Sequence, residues 1–329
     1  MKVLILSNSI SGGGAERSMR ILNQELNQKK FNSTLLCLNN SGKDIALDHE
    51  IILSRKWKSG LLGTFTNFKE FFSVYRTKNP DVVIVNCELP ELYAAMIPII
   101  VKRIICVEHT SKPWAGRRQF GIAIRSLLFL RKVTWVTVNK NESRIWPLGS
   151  HAIHISNPVD TPQLSVSTVL QTPFVFVGRL REEKGIRMVL SAVAKTNYSI
   201  NIFGSGTLEE ELKANFYGTA NFNGFVENPW QYISADQIII VGSEYEGDGI
   251  VVVEAILAGI PLLLRDIPDL RRFELSENSY FKDQTDLEVK IAQAVFNPEL
   301  FRADQKIRKK LLKERSLKAV FLQWEELIG

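Results

Sequence analysis

The sequence predicts an α/β protein of two units, each a parallel sheet flanked by helices. Three observations carry that prediction. Short apolar, β-branched runs alternate with longer amphipathic stretches through both halves of the 329 residues, the order that parallel sheets require. Those runs are apolar almost without interruption, as in strands covered on both faces. Between residues 155 and 173, "ISNPVDTPQLSVSTVLQTP", periodicity lapses and Pro, Ser and Thr collect, which marks a boundary. We place the first unit at 1–158 and the second at 159–315, followed by a C-terminal helix of about 316–329.

"MKVLILSNSI" opens the chain with one Lys and about five apolar residues, too short a core for a secretory signal, and reads as a first buried strand. "AERSMRILNQELNQKK" follows with Met19, Leu22 and Leu26 on one helical face. "STLLCLN", "DVVIVNC", "RIICVEHT" and "VTWVTVN" supply further strands of the first unit. The second unit has "FVFVGRL", "SINIFGSG", "ANFNGFV", "QIIIVGS" and "IPLLL", with "VVVEAILAG" as a helix before the last. The tail from Phe301 reads as helical and basic.

Composition narrows the class. With 45% hydrophobic and 23% charged residues, the chain can bury a sizeable core. "LYAAMIPIIV", the longest apolar stretch, is about half a membrane span. Cys37, Cys87 and Cys106 are odd in number and show no metal or redox spacing, which suits reduced thiols in the cytosol. The net charge of +6 is uneven: residues 1–160 carry 22 Lys and Arg against 12 Asp and Glu, the remainder 19 against 23.

Three stretches carry chemistry. In "SNSISGGGAER", glycines after the first strand let the backbone approach a ligand and leave helix-start amides facing it; a flexible turn would read the same. The stretch is not GxGxxG and has no acid placed for an NAD ribose, which disfavours a dehydrogenase. In "FVFVGRLREEKGIRMVL", a strand ends near Gly178 and Arg179 and Lys184 follow. Cations at the C-terminal end of such a strand suit a diphosphate, although two solvated surface cations look alike in sequence. In "EYEGDGIVVVEAILAGIPLL", Glu246 falls in a loop and Glu254, eight positions on, lies inside a greasy helix. The helix start at Gly249, Ile250 and Val251 would offer amides to an anion. Glu254 would then meet vicinal hydroxyls of a ribose, or else pair with a neighbouring Arg.

In "GRLREEKG", the "GSG" beginning at Gly204 and the Glu-x7-Glu pattern of Glu246 and Glu254, the chain resembles retaining glycosyltransferases of family 4, which have the GT-B fold. "GGGAER" and "ISNPVD" are similar to that family too. The resemblance implies two Rossmann-like domains facing across a cleft, with the C-terminal helix, about 316–329, crossing back to the first. It implies that Arg179 and Lys184 hold the donor diphosphate, that the amides of Gly249, Ile250 and Val251 cap it, that Glu254 binds ribose and that Glu246 contacts the donor hexose. Phe225 and Val226 would line the base pocket, and Gly13 and Gly14 would lie near the phosphates. His109, in "VEHTS", looks like the family's histidine beside the reacting sugar. Asp248 departs from the usual hydrophobic residue and would touch a sugar hydroxyl or cap the helix. His151 and His154 in a strand-like "SHAIHIS" would sit on opposite faces, so no metal site is expected there, and no DxD triplet is present to hold a divalent ion. No cofactor is expected.

Between Lys102 and Lys132 there are eight basic residues and one acid, Glu108, interleaved with Trp114, Phe120 and Phe129. This make-up suits an anionic bilayer, with Trp114, Arg117, Arg118 and Arg125 as contacts to membrane or acceptor; nucleic acid is disfavoured because no recognised motif accompanies the patch. A solvated helix packed on the sheet is the plainer reading. The whole therefore reads as a metal-independent, retaining transfer of a hexose from a UDP- or GDP-sugar to a saccharide or lipid-linked acceptor, on the inner face of the cytoplasmic membrane. The alternative is a non-catalytic nucleotide-sugar-binding subunit.

Overall fold

A computed structural model describes residues 1–10, 13–39, 45–54, 67–98, 103–110, 112–142, 144–165 and 172–329. Gly12 of the glycine triplet, Lys102 of the basic stretch and residues 166–171 of the boundary segment lie outside them. The chain divides into two compact units, Met1–Pro158 with Val320–Gly329, and Val159–Ala319.

In chain order the first unit contains β1 (Lys2–Ser7), α1 (Gly14–Gln28), β2 (Asn32–Cys37), β3 (Glu50–Ile52), α2 (Phe68–Lys78), β4 (Val82–Asn86), α3 (Glu88–Met96), β5 (Arg103–Glu108), α4 (Arg118–Leu130), β6 (Thr134–Thr137), β7 (Arg144–Ile145) and β8 (Ser150–His154). Their sheet runs β3-β2-β1-β4-β5-β6-β8-β7, parallel except for the antiparallel β7–β8 pair. The apolar runs are explained by two-sided burial. Val3 and Ile5 of β1 join Met19, Leu22 and Leu26 of α1 in one core, whereas Leu4 and Leu6 join Phe71, Tyr93, Ile124 and Leu128 in the other. The predicted face of α1 is its buried face.

The second unit contains β9 (Phe174–Val177), α5 (Ile186–Ala194), β10 (Ile200–Phe203), α6 (Glu209–Asn215), β11 (Ala220–Phe222), β12 (Ile238–Val241), α7 (Ile250–Ala258), β13 (Leu262–Arg265), α8 (Pro268–Arg271), β14 (Tyr280–Phe281), α9 (Gln284–Phe296) and α10 (Gln305–Arg315), and α11 (Leu317–Ile328) follows. The order is β11-β10-β9-β12-β13-β14, all parallel. The basic tail is two helices, Gln305–Arg315 and Leu317–Ile328. Ser316 takes an extended backbone between them, and its hydroxyl accepts the Ala319 amide at 3.3 Å, the usual work of a capping serine. From Val320 onward α11 belongs to the first unit, where Val320, Phe321, Trp324, Leu327 and Ile328 share the core of β1 and α1.

Candidate active site

The second unit winds outward in both directions from β9 and β12. The chain runs from β9 to β10 and β11 on one side, and from β12 to β13 and β14 on the other. Loops leaving the carboxyl ends of two such strands diverge and leave room for a ligand. The predicted residues sit on those two loops: Gly178, Arg179 and Lys184 after β9, Glu246, Asp248 and Gly249 after β12. The loops are tied together. The amide of Glu244 donates to the Glu183 carbonyl at 2.9 Å. Gly185 is held at φ +62, where any Cβ would collide with the Gly242 carbonyl. This joining brings Lys184 Nζ to 2.7 Å from Glu246 Oε2, although 62 residues separate them.

Glu246 is further fixed by Ser243, whose hydroxyl donates to the same Oε2 at 3.0 Å, and its own amide donates to Asp269 at 2.9 Å. Gly249 takes the left-handed conformation, φ +64, and α7 starts at Ile250 with no side-chain cap. The first amides of α7 thus have no acceptor within the helix and lie two to three residues past Asp248. Glu254 is buried on α7 among Val252, Val253, Ala255 and Ile256. Phe225 is exposed, and Val226 is half-buried against the second unit's core. Gly204 follows β10, and its amide donates to Gly224 at 2.7 Å.

Asp248 corrects the sequence reading. It neither caps α7 nor turns a free carboxylate outward, because both oxygens are gripped by buried Arg315, at 2.8 and 2.6 Å. A charge this buried needs a close partner, and the partner lies in α10, 67 residues away. Arg272 was missed altogether. It lies close to Gly249; burial lowers its guanidinium pKa, against the pull of Asp248. Its only trace in sequence was the Arg pair in "PDLRRF".

In the first unit, Gly13 is the N-cap of α1 and Gly14 its first residue, just past β1. His109 directly follows β5 and is half-buried. Trp114 and Arg125 are corrected as membrane contacts: they are 4% and 1% exposed. The Trp114 indole donates to Glu91 at 2.8 Å, and Arg125 bridges Glu91 at 2.6 and 2.9 Å and Glu108 at 2.6 Å. Two buried carboxylates thus share one guanidinium. Burial pushes Glu108 up to about 8 despite the pull of Arg125, and burial raises Glu91 as well. Arg117 and Arg118 remain exposed, Arg118 lying over the Trp146 ring at 5.2 Å. His151 and His154 alternate across β8 as expected. Among the described residues no cluster of His, Cys, Asp or Glu is placed to hold a metal, and no helix is long and apolar enough to cross a membrane.

Residues 171–310 match the glycosyl transferases group 1 family. The matched stretch includes Arg179, Lys184, Glu246, Asp248 and Glu254, and so contains both site loops. An uncharacterized glycosyltransferase of Haemophilus influenzae is 23% identical over 253 residues, 71% of each chain. Among solved structures, sucrose-phosphate synthase of Thermosynechococcus elongatus superposes with a TM-score of 0.82 at 16% identity, covering 100% of this chain and 98% of that one. HepE of Anabaena, in complex with UDP and glucose, gives 0.79 at 14% identity, covering 100% and 99%. At such identities the likeness is one of fold. The two parallel-sheet units have the GT-B architecture of these glycosyltransferase structures.

Proposed function

We propose that the protein is a retaining glycosyltransferase that moves a hexose from a UDP- or GDP-linked donor to a saccharide or lipid-linked acceptor. The observation that carries the reading is the Lys184–Glu246 pair. It joins a cation and a carboxylate at 2.7 Å, on two diverging loops within the stretch that matches the group 1 family, with Glu246 four residues before the start of α7. One reactant spans both groups naturally: a diphosphate against Lys184, Arg179 and the α7 amides, with the hexose against Glu246 and a ribose diol at Glu254. HepE, a structure of the same fold, holds UDP and glucose, which supports a donor of this kind.

In this reading the acceptor oxygen attacks the anomeric carbon on the face from which the diphosphate leaves. The bond from the anomeric carbon to the phosphate oxygen breaks, and the acceptor's proton passes to the departing phosphate. Negative charge grows on that diphosphate, and stabilising it is the main catalytic task. Arg179, Lys184 and the amides of Gly249, Ile250 and Val251 supply positive potential without needing a metal. Glu246 holds the hexose and supports the positive charge developing on its ring. By the family resemblance, His109 would be the histidine beside the reacting sugar. The family's habit of lipid-linked acceptors, with the exposed cations of the first unit, favours surface polysaccharide or lipopolysaccharide synthesis at the inner face of the cytoplasmic membrane.

A thermal-shift series with UDP, GDP and nucleotide-sugars tests this. A nucleotide at about 100 times its Kd adds roughly 2.7 kcal/mol of stability. Arg179→Ala and Glu254→Ala should each lose most of that response while keeping the Tm of the free protein. A wild type that responds to no nucleotide would refute the donor site.

A further inference from the structure

Arg315 stands where three parts of the chain meet. Its guanidinium grips Asp248 of the donor loop, Nη1 to Oδ2 at 2.8 Å and Nη2 to Oδ1 at 2.6 Å, and both side chains are withdrawn from water. Its carbonyl accepts the amide of Val159 at 2.9 Å, and Val159 is the first residue of the second unit. Arg315 also closes α10, so Ser316 and α11 follow directly and carry the chain back into the first unit at Val320. The chain crosses between units twice, and this one residue is bonded to the first crossing and adjoins the second.

A bidentate guanidinium–carboxylate pair is geometrically strict, and losing one partner strands a buried charge. Arg315 therefore moves with the loop that carries Glu246, Asp248 and the start of α7. We propose that Arg315 is a positioning residue. Through Asp248 it fixes the loop that meets the donor, and through its own backbone it transmits donor occupancy to both crossings. The proposal rests on the donor site described above and adds a route by which a filled site orders the two connections.

Hydrogen exchange read by mass spectrometry on the full chain, with and without UDP or GDP, tests it in wild type, Asp248→Asn and the double variant Asp248→Leu/Arg315→Met. The double variant removes both charges together, which preserves a fold where a single loss can break it. In wild type, nucleotide should slow exchange across 244–258 and also across 156–165 and 313–319. In both variants the two crossings should lose this protection, and nucleotide Kd should weaken about tenfold, within the usual range of coupling between sites. A double variant of normal Tm with unprotected crossings separates positioning from mere stability. Crossings protected in both variants as in wild type overturn the proposal, as does a wild type protected at 244–258 alone. If neither nucleotide protects any wild-type peptide, the donor site itself is refuted and this proposal falls with it.

Discussion

Glu246 and Asp248 stand two residues apart in one loop and answer to different parts of the chain. Glu246 is held by Lys184 from the neighbouring loop and Asp248 by Arg315 from α10. The sequence exposed both carboxylates because glycines around them mark a loop. It could not reveal their partners, which lie 62 and 67 positions away, since periodicity reports only local neighbours. Lys184 was legible because its strand and turn were. Glu108 was hidden for a related reason: its meaning depends on Glu91 and Arg125, brought to the end of β5 from two helices. Its pKa gives a prediction. Burial raises Glu108 from its usual 4.5 to about 8, with Arg125, Glu91 and Glu142 acting on it. A raised acid is protonated in the fold, so its contribution is complete below the unfolded value and is lost as pH rises through about 8. Melting wild type and Glu108→Gln from pH 5 to 8 should show wild type losing ground to the variant, at most by about 1.4 kcal/mol per pH unit. Parallel curves would dispose of the raised pKa of Glu108.

At the scale of elements, strands of four to six residues were readable because two-sided burial writes an apolar run, β8 with its exposed and half-buried residues excepted. β3, β7 and β14, of two or three residues each, are too short to write any pattern. The basic helix α4 shows a signal that was present and misread. Gly121, Ile124, Arg125 and Leu128 recur at helical spacing and form its buried stripe, so Arg125 shared a phase with core residues all along. The outer stripe is different: Phe120, Ile122, Leu127, Phe129 and Leu130 are exposed, with Arg117 and Arg118 exposed at its start. Apolar side chains beside cations suit an anionic lipid surface. Replacing Arg117 and Arg118 by Ser should therefore weaken binding to phosphatidylglycerol vesicles about thirtyfold, at about 1 kcal/mol per cation. Leu127→Ser/Phe129→Ser/Leu130→Ser should weaken it further, including at high salt. Equal flotation of wild type and variants, or equal binding to neutral vesicles, would remove this face from membrane contact.

For the whole molecule, the two-unit plan was legible because each unit repeats the same alternation and the boundary carries Pro and Ser. What alternation could not say is which core the tail serves, because an amphipathic helix fits any apolar sheet face. Packing decides it: Trp324 and Phe321 join Val3, Ile5 and Leu22. The last ten residues thereby become part of the first unit's core, although the loops of Lys184 and Glu246 belong to the second. Two such units need not unfold in one transition. Trp324 is 4% exposed, and its truncation to Ala should cost about 3–5 kcal/mol. That loss should fall on the first unit, whereas nucleotide should raise only the transition of residues 159–319. Calorimetry of wild type and Trp324→Ala, each with and without the nucleotide that gives the larger thermal shift, checks both halves of the statement. If the variant lowered the nucleotide-sensitive transition instead, α11 would be supporting the donor domain, and the division of stability between the two cores would have to be redrawn.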